Sequence, residues 1–349
     1  MAITVAEFGK NKAGETVKQY TIENANGMKA VVLNLGAILK ELHVPDKDGK
    51  LRDVVWGYED AAHYEIIGGP YFGAIVGRNA NRIGKAQVEI NGKTCMLDQN
   101  DNENCLHSGK EGYNYRMWKA IIADDNKVEF SLDSPDGDQG FPGNAQVTVS
   151  YKLTNDNELQ ISYWGKADQD TVFNMTNHSY FNLEGQESES ILDQEVCLCA
   201  EAFTPTDAQL IPTGEIRPVA GTPMDFRKWK AVGAEIGADY EPMKLAGGYD
   251  HNFVLMSRDG YELAAKMRCA KSGIQMEVYT DLPGIQMYTA CMLDEKEGGK
   301  NGRAYGKYSA SCFETQYFPD ALHHENFPSP LVKAGEEYRT TTGYKFTIA

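Results

Sequence analysis

VTVSYKLTNDNELQISY, residues 147–163, alternates apolar and polar side chains on both sides of a short polar turn. The apolar positions are every second residue: Val147, Val149, Tyr151 and Leu153 before the turn at 155–157, and Leu159, Ile161 and Tyr163 after it. Because successive side chains of a strand point to opposite faces, this spacing predicts two antiparallel strands that each bury one face.

The same period of two recurs through most of the chain. Asn91-Gly92 separates the runs 86–90 and 93–97, which is a strong signal for a two-residue hairpin. Further strands are predicted at 28–34, 127–132, 191–199, 261–268, 274–280, 285–290, 309–316 and 338–348. Helices are predicted only at 58–64 and 227–236, and strands do not alternate with helices. We therefore expect an all-β fold, a large antiparallel β-sandwich with few short helices, formed by residues 1–349 as a single domain.

The charge balance argues against two classes of partner. The 349 residues include 34 Lys and Arg and 50 Asp and Glu, for a formal net charge of −16. Nucleic acids and anionic membranes attract clustered basic residues, so neither is an expected partner. The N-terminal MAITVAEFGK does not read as a signal peptide, and no apolar run approaches the length of a membrane span. Seven cysteines, an odd and sparse set, favour reduced thiols and a cytoplasmic location.

Polar segments rich in functional groups interrupt or end the predicted strands. They are 77–84 (GRNANRIG), 104–109 (NCLHSG), 174–182 (NMTNHSYFN), 247–252 (GGYDHN) and 311–316 (SCFETQ). Together they supply one pair of His and carboxylate groups suited to acid–base chemistry, with several hydrogen-bonding side chains. The adjacent residues His323-His324-Glu325 rarely aim at one ion, and the aspartates of 133–140 lack the spacing of a calcium loop, so no metal site is expected.

Seven motifs in order resemble the aldose 1-epimerase (galactose mutarotase) family. They are GRNANRIG, NCLHSG, SPDGDQGFPG (134–143), TNHSYFNL (176–183), GGYDHNFVL (247–255), GIQMYTA (284–290) and FETQYFPDA (313–321). The resemblance extends from about residue 8 to residue 349. It implies a large antiparallel β-sandwich, in agreement with the strand pattern, and an isomerase that interconverts the anomers of free aldoses such as glucose and galactose without a cofactor.

The resemblance also assigns roles to single residues. Glu314 of the FETQ motif would be the general base and His178 of the TNHSYFNL motif the general acid. His107 would help to bind and polarise the sugar near its ring oxygen. Arg82 and Asp250 would hold sugar hydroxyls. The remaining matches to sugar-contacting positions are Asn81 and Gln286.

Three other functions stay open at the level of sequence. A glycoside hydrolase would pair Glu314 with Asp250 and release a free sugar from a glycoside. A non-catalytic sugar-binding protein would leave mutarotation at the rate of the buffer. A hexose-6-phosphate 1-epimerase would show a basic pocket. For the mutarotase that the resemblance implies, the expected partner is a small monosaccharide, and the chain would be a monomer or a homodimer.

Overall fold

The computed structural model describes residues 2–256, 259–295 and 298–349, and strands dominate all three ranges. In the first half of the chain the strands are β1 (Ala2–Lys10), β2 (Thr16–Glu23), β3 (Lys29–Leu33), β4 (Leu39–Pro45), β5 (Leu51–Asp53), β6 (Ile75–Val76), β7 (Arg82–Ile83), β8 (Gln87–Ile90), β9 (Lys93–Met96), β10 (Cys105–Leu106), β11 (Lys119–Asp124), β12 (Lys127–Ser134), β13 (Ala145–Leu153), β14 (Glu158–Ala167) and β15 (Thr171–Val172). In the second half they are β16 (Thr176–Asn177), β17 (Tyr180–Phe181), β18 (Glu195–Leu198), β19 (Ala200–Thr204), β20 (Arg217–Pro218), β21 (Lys230–Ala231), β22 (Asp250–Leu255), β23 (Glu262–Arg268), β24 (Ile274–Thr280), β25 (Gly284–Tyr288), β26 (Asp294–Glu295), β27 (Tyr305–Gly306), β28 (Ser311–Gln316), β29 (Leu331–Val332) and β30 (Glu337–Ile348).

Three large sheets carry the fold. A five-stranded meander has the order β1-β2-β3-β4-β5, and a nine-stranded sheet has the order β11-β12-β13-β14-β30-β24-β23-β18-β21. A six-stranded sheet follows the order β17-β28-β25-β22-β19-β20. The C-terminal strand β30 lies between β14 and β24, so the last residues of the chain are central to the largest sheet. The predicted all-β, antiparallel architecture is confirmed.

The hairpin at 147–163 forms as predicted. Strands β13 and β14 pair antiparallel from Ala145 opposite Ala167 to Leu153 opposite Leu159. The second predicted hairpin also forms, with Ile90 opposite Lys93 across Asn91-Gly92. Asn91 has a φ of 53° and Gly92 a φ of 73°, which is the left-handed backbone that a type I′ turn requires.

The predicted helices are wrong in extent. In place of the helix predicted at 58–64, a 3-10 turn forms at His63–Glu65. The side chain of Asp60 accepts a hydrogen bond from the backbone amide of His63. Within 227–236 the chain adds β21 to the edge of the nine-stranded sheet and then makes a 3-10 turn at Val232–Ala234. The α-helix that the structure describes, α1, lies at Glu241–Ala246 and ends at Gly247 in left-handed conformation.

One predicted strand is shorter than expected. The run 191–199 is extended only over β18, because the residues before it form a turn in which the amide of Gln194 donates to the carbonyl of Ile191. The side chain of Gln194 then bonds the backbone amide of Leu183 and the side chain of Asn182.

The three sheets share one apolar core. Its largest cluster of buried side chains includes Val32 of the five-stranded sheet, Tyr151 of the nine-stranded sheet and Phe313 of the six-stranded sheet. In the three ranges that the structure describes, no helix is long and apolar enough to cross a bilayer.

Candidate active site

The six-stranded sheet carries a polar face that is buried. Residues of β22, β25 and β28 are almost all buried, so both faces of these strands are covered. The apolar set, including Phe253, Ile285 and Phe313, packs into the core. The alternate set is polar, and Asn252, Gln286 and Glu314 lie side by side across the three strands. Period-two alternation therefore points Glu314 away from the core and towards a cleft.

Glu314 meets His178 at this face. The distance from His178 Nε2 to Glu314 Oε2 is 3.6 Å, and both side chains are buried. Glu314 Oε2 has no hydrogen-bond partner among the described residues. A buried carboxylate oxygen without a donor is costly, which makes this atom the natural acceptor for a hydroxyl of a bound ligand.

A column of rings holds the imidazole of His178. Tyr71 and Tyr180 each lie nearly parallel to it, at centroid distances of 5.7 and 5.0 Å. Trp56 stacks on Tyr180 at 5.6 Å, and Tyr305 stacks on Trp56 at 4.3 Å. The ring of His178 is therefore fixed in its plane by packing, in addition to its backbone bonds with the 73–74 segment.

His107 and Asn81 are joined through the backbone. The amide of Asn81 donates to His107 Nδ1 at 3.1 Å, and the amide of His107 donates to the carbonyl of Asn81. Since Nδ1 accepts a hydrogen bond, the neutral ring carries its proton on Nε2. Burial, helped by His178 and Arg82, holds the pKa of His107 well below its ordinary value. His107 is therefore a neutral donor.

Arg82, Asp250 and Gln286 form a charged side of the site. Arg82 Nε donates to Asp101 at 2.7 Å, and its Nη1 lies 4.0 Å from Asp250 Oδ2. Gln286 Nε2 donates to Asp250 Oδ1 at 2.7 Å, and Gln316 donates to Gln286. Gln286 thus lies behind Asp250 and orients it, and is not among the residues that line the cavity.

A cavity of about 310 Å³ opens over these groups. Of the seven residues predicted from the sequence, six line it: Asn81, Arg82, His107, His178, Asp250 and Glu314. The remaining lining residues come from segments 68–71 and 292–295, with Leu106, Tyr180 and Tyr288. Its volume is at the lower end of the range for small-ligand pockets.

Burial reverses the usual order of the pKa values of Glu314 and His178. Desolvation raises the pKa of Glu314 well above its ordinary value. The nearby charge of Asp250 raises this pKa further, and the charge of Arg82 lowers it. Desolvation lowers the pKa of His178 to about 4. Both shifts favour the uncharged pair, which has the proton on the carboxyl group rather than on the imidazole.

The donor set does not suit a metal ion. His107, His178 and Glu314 bring possible ligand atoms within 4.8 Å of one another. A ligating imidazole needs a bare nitrogen, but Nδ1 of His107 is occupied by a backbone N–H and its Nε2 is protonated. A second group of possible ligands consists of Glu41, His43 and Asp53. Its carboxylates already form ion pairs, Glu41 with Lys40 and Asp53 with the buried Lys300.

Arg78 and Arg82 of the GRNANRIG segment differ in environment. Arg78 is fully buried and donates to the Ser134 and Thr171 hydroxyls and to several backbone carbonyls, including that of Gly143. It ties the segment to the neighbouring loops, whereas Arg82 lines the cavity.

Sequence reasoning missed the aromatic lining. Tyr180 and Tyr288 follow His178 and Gln286 by two residues, so period two could have placed them on the polar face. Tyr71 lies in an irregular segment, and no local pattern indicates its role.

Known proteins resemble this chain over almost its whole length. The sequence profile of the aldose 1-epimerase family matches residues 18–345. Galactose mutarotase of Bos taurus is 41% identical over 350 residues, covering 100% of both chains, and aldose 1-epimerase of Escherichia coli (strain K12) is 36% identical, covering 95% of this chain and 96% of that one. A solved aldose epimerase homologue from C. elegans superposes with a TM-score of 0.87 at 31% identity, over 94% of this chain and 98% of the other. With the fold, the buried acid–base pair and the full-length similarity in agreement, the chain belongs to the aldose 1-epimerase family.

Proposed function

We propose that this protein is a mutarotase that interconverts the α and β anomers of a free, uncharged aldose. The observation that carries the proposal is the pairing of Glu314 with His178 at a cavity, where Glu314 Oε2 has no hydrogen-bond donor among the described residues. The family similarity supports the same isomerase activity over the full chain.

In the proposed mechanism Glu314 and His178 act together on one bond. The carboxylate of Glu314 takes the proton of the C1 hydroxyl, while protonated His178 gives its proton to the ring oxygen. The C1–O5 bond breaks and leaves an open-chain aldehyde. Rotation about C1–C2 exposes the other carbonyl face, and reversed proton transfers close the ring as the other anomer.

The burial of the pair helps ring opening. Opening turns the charged pair, carboxylate and imidazolium, into an uncharged one, and burial favours the uncharged forms of both groups. Before opening, Arg82 and the sugar hydroxyls stabilise the Glu314 carboxylate. The desolvated site thus stabilises the protonation state that accompanies the aldehyde.

The remaining residues orient the sugar. Asp250 accepts hydroxyl hydrogen bonds, with Gln286 holding its other oxygen, and Arg82 donates to sugar oxygens. His107 donates from Nε2, since its Nδ1 is occupied, and Asn81 fixes that ring. Both carboxylate oxygens of Asp250 face hydrogen-bond donors. This environment suits a residue that accepts hydrogen bonds from sugar hydroxyls, whereas a glycoside hydrolase would need Asp250 to donate a proton.

The charge of the cavity favours unphosphorylated sugars. Among the described residues that line it, the basic side chain is that of Arg82, and the carboxylates are those of Asp250, Asp294, Glu295 and Glu314. A hexose-6-phosphate would meet net repulsion there, which supports a free aldose over the phosphorylated alternative. We further propose a cytoplasmic location, which the odd and sparse set of seven cysteines supports.

Polarimetry with pure α-galactose and α-glucose tests the proposal. The protein should speed the approach to anomeric equilibrium above the buffer rate, and Glu314→Gln should lower kcat about 10²–10⁴-fold while keeping the fold. Glu336→Gln, an exposed carboxylate in the 333–337 turn, is the matched control and should retain full activity. Mutarotation at the buffer rate with the wild-type protein would leave only a sugar-binding role.

A further inference from the structure

Cys312 is a buried thiol that the mechanism above does not use. It lies on β28, two residues before Glu314 and on the same face, directly opposite Tyr180 of β17. Its Sγ is 3.6 Å from His178 Nδ1, a normal distance for a hydrogen bond to sulfur. The two nitrogens of His178 therefore have different neighbours, with sulfur at Nδ1 and Glu314 at Nε2.

The reaction needs one of these nitrogens to exchange protons and the other to stay protonated. Nε2 faces Glu314 and the cavity, so it is the atom that gives a proton to the ring oxygen and takes it back. When Nε2 has given up its proton, the neutral ring must carry its remaining proton on Nδ1. A ring that rested with its proton on Nε2 could not accept one there during ring closure.

We propose that Cys312 is a positioning residue whose sulfur accepts a hydrogen bond from His178 Nδ1–H and so keeps Nε2 as the proton-exchanging nitrogen. The inference rests on the proposed mutarotase function for its catalytic meaning. The hydrogen bond itself is a property of the free protein. It makes His178 and its neighbour His107 opposite tautomers, since His107 Nδ1 accepts a hydrogen bond and its Nε2 carries the proton.

Sulfur suits this position because it is a weak acceptor. A carboxylate at Nδ1 would stabilise the imidazolium and make His178 a weaker acid. A thiol fixes the tautomer without that stabilisation, which agrees with the low pKa of His178. Burial, together with the carboxylates of Glu314 and Asp250, raises the pKa of Cys312, so the group stays an uncharged thiol.

The tautomer can be read directly by ¹⁵N NMR of the protein labelled at its seven histidines. The His178 and His107 signals are assigned by their loss in His178→Asn and His107→Asn. At neutral pH we expect His178 to show a protonated Nδ1 and a bare Nε2, and His107 to show the reverse. A protonated Nε2 on neutral His178 in the wild-type protein would overturn the proposal, whatever the activity.

Substitution supplies the second readout. Cys312→Ala should move the His178 tautomer towards Nε2–H and lower kcat about tenfold with KM nearly unchanged, because an outer partner of a working imidazole is lost. Cys312→Ser keeps an acceptor and should restore the tautomer and most of kcat. Cys269→Ala removes another buried core thiol that does not line the cavity, and should change neither.

The outcomes separate the two levels of inference. Unchanged kcat and unchanged ¹⁵N shifts in Cys312→Ala would refute the role of the thiol while leaving mutarotation intact. Absence of mutarotation in the wild-type protein would refute the proposed function. The NMR signals would still show whether His178 Nδ1–H donates to Cys312. If Cys312→Ala does not fold, the wild-type spectrum and Cys312→Ser carry the test.

Discussion

Asp250 depends on Gln286 for its orientation. The amide of Gln286 donates to one carboxylate oxygen while Arg82 lies near the other, so the carboxylate is held before a sugar arrives. Gln286 is in turn aligned by Gln316 on the neighbouring strand β28. Sequence resemblance predicted Gln286 as a sugar contact. Gln286 is not among the residues that line the cavity, so we propose that it acts on sugar binding through Asp250.

Gln286→Met should therefore weaken sugar binding more than it slows the chemistry. The change leaves Asp250 Oδ1 without its donor, and a hydrogen bond to a charged group contributes about 1.5–3 kcal/mol. We expect KM to rise about tenfold, with kcat within a factor of about two. Steady-state polarimetry checks this, with Gln160→Met on β14 as a half-buried control. A fall in kcat at constant KM would show instead that Gln286 acts on the Glu314–His178 pair.

At the scale of elements, strand β7 is clamped by the turn that follows β28. The amide of Asp320 donates to the carbonyl of Arg82 at 3.0 Å, and its Oδ1 accepts the amide of Gly84 at 2.8 Å. His323 bonds the same carboxylate at 2.6 Å. The segment that bears Arg82 is thus fixed from the end of the strand that bears Glu314.

Asp320→Ala should loosen the Arg82 segment. Losing a buried acceptor for the Gly84 amide costs about 1–3 kcal/mol of stability, and sugar binding should weaken with it. Asp320 has a φ of 57°, which asparagine adopts readily, so Asp320→Asn keeps both the backbone and the Oδ1 acceptor and serves as the control. Denaturant titration and KM measure the two effects. Equal stability of the alanine and asparagine variants would contradict the clamp.

Sequence patterns predicted the strands better than they predicted which residues line the cavity. Period two predicted β28 within two residues and showed that Cys312, Glu314 and Gln316 share a face. It could not show that this face lines a cavity, because that depends on loops 68–71 and 292–295, which are distant in sequence. Arg78 and Arg82 could not be separated locally for the same reason, since the partners of Arg78 lie more than 50 residues away.

At the scale of the whole molecule, we propose that residues 1–349 form one cooperatively folding domain. The shared core supports this, because its largest cluster extends from Tyr20 to Phe346 and includes all three large sheets. Denaturation followed by fluorescence and by far-UV circular dichroism should give coincident single transitions.

Three buried histidines should make this domain sensitive to acid. Burial lowers the pKa of His107, and it lowers those of His178 and His251 to about 4. Between pH 6.5 and 4 the unfolded histidines bind protons that the folded ones do not, so stability falls as pH falls. Glu314, whose pKa is raised, acts in the opposite sense but is a single group.

The free energy of unfolding should fall by about 2 kcal/mol per buried histidine between pH 7 and pH 5. Urea titrations at the two pH values give the free energies of unfolding. His251→Gln should reduce the difference between them by one histidine's share, because this residue does not line the cavity. An unchanged difference would mean that His251 is not held neutral by burial.

The ring column beside His178 also has an optical consequence. Trp56 is in parallel contact with Tyr180 and Tyr305, and Tyr180 in turn stacks on the histidine that faces the cavity. Because these rings lie close together, we expect light absorbed by Tyr180 and Tyr305 to be transferred to Trp56. A sugar that settles against Tyr71 changes the surroundings of the outermost ring and should alter that emission. A sugar titration followed by tryptophan emission would test this expectation without a label and without turnover.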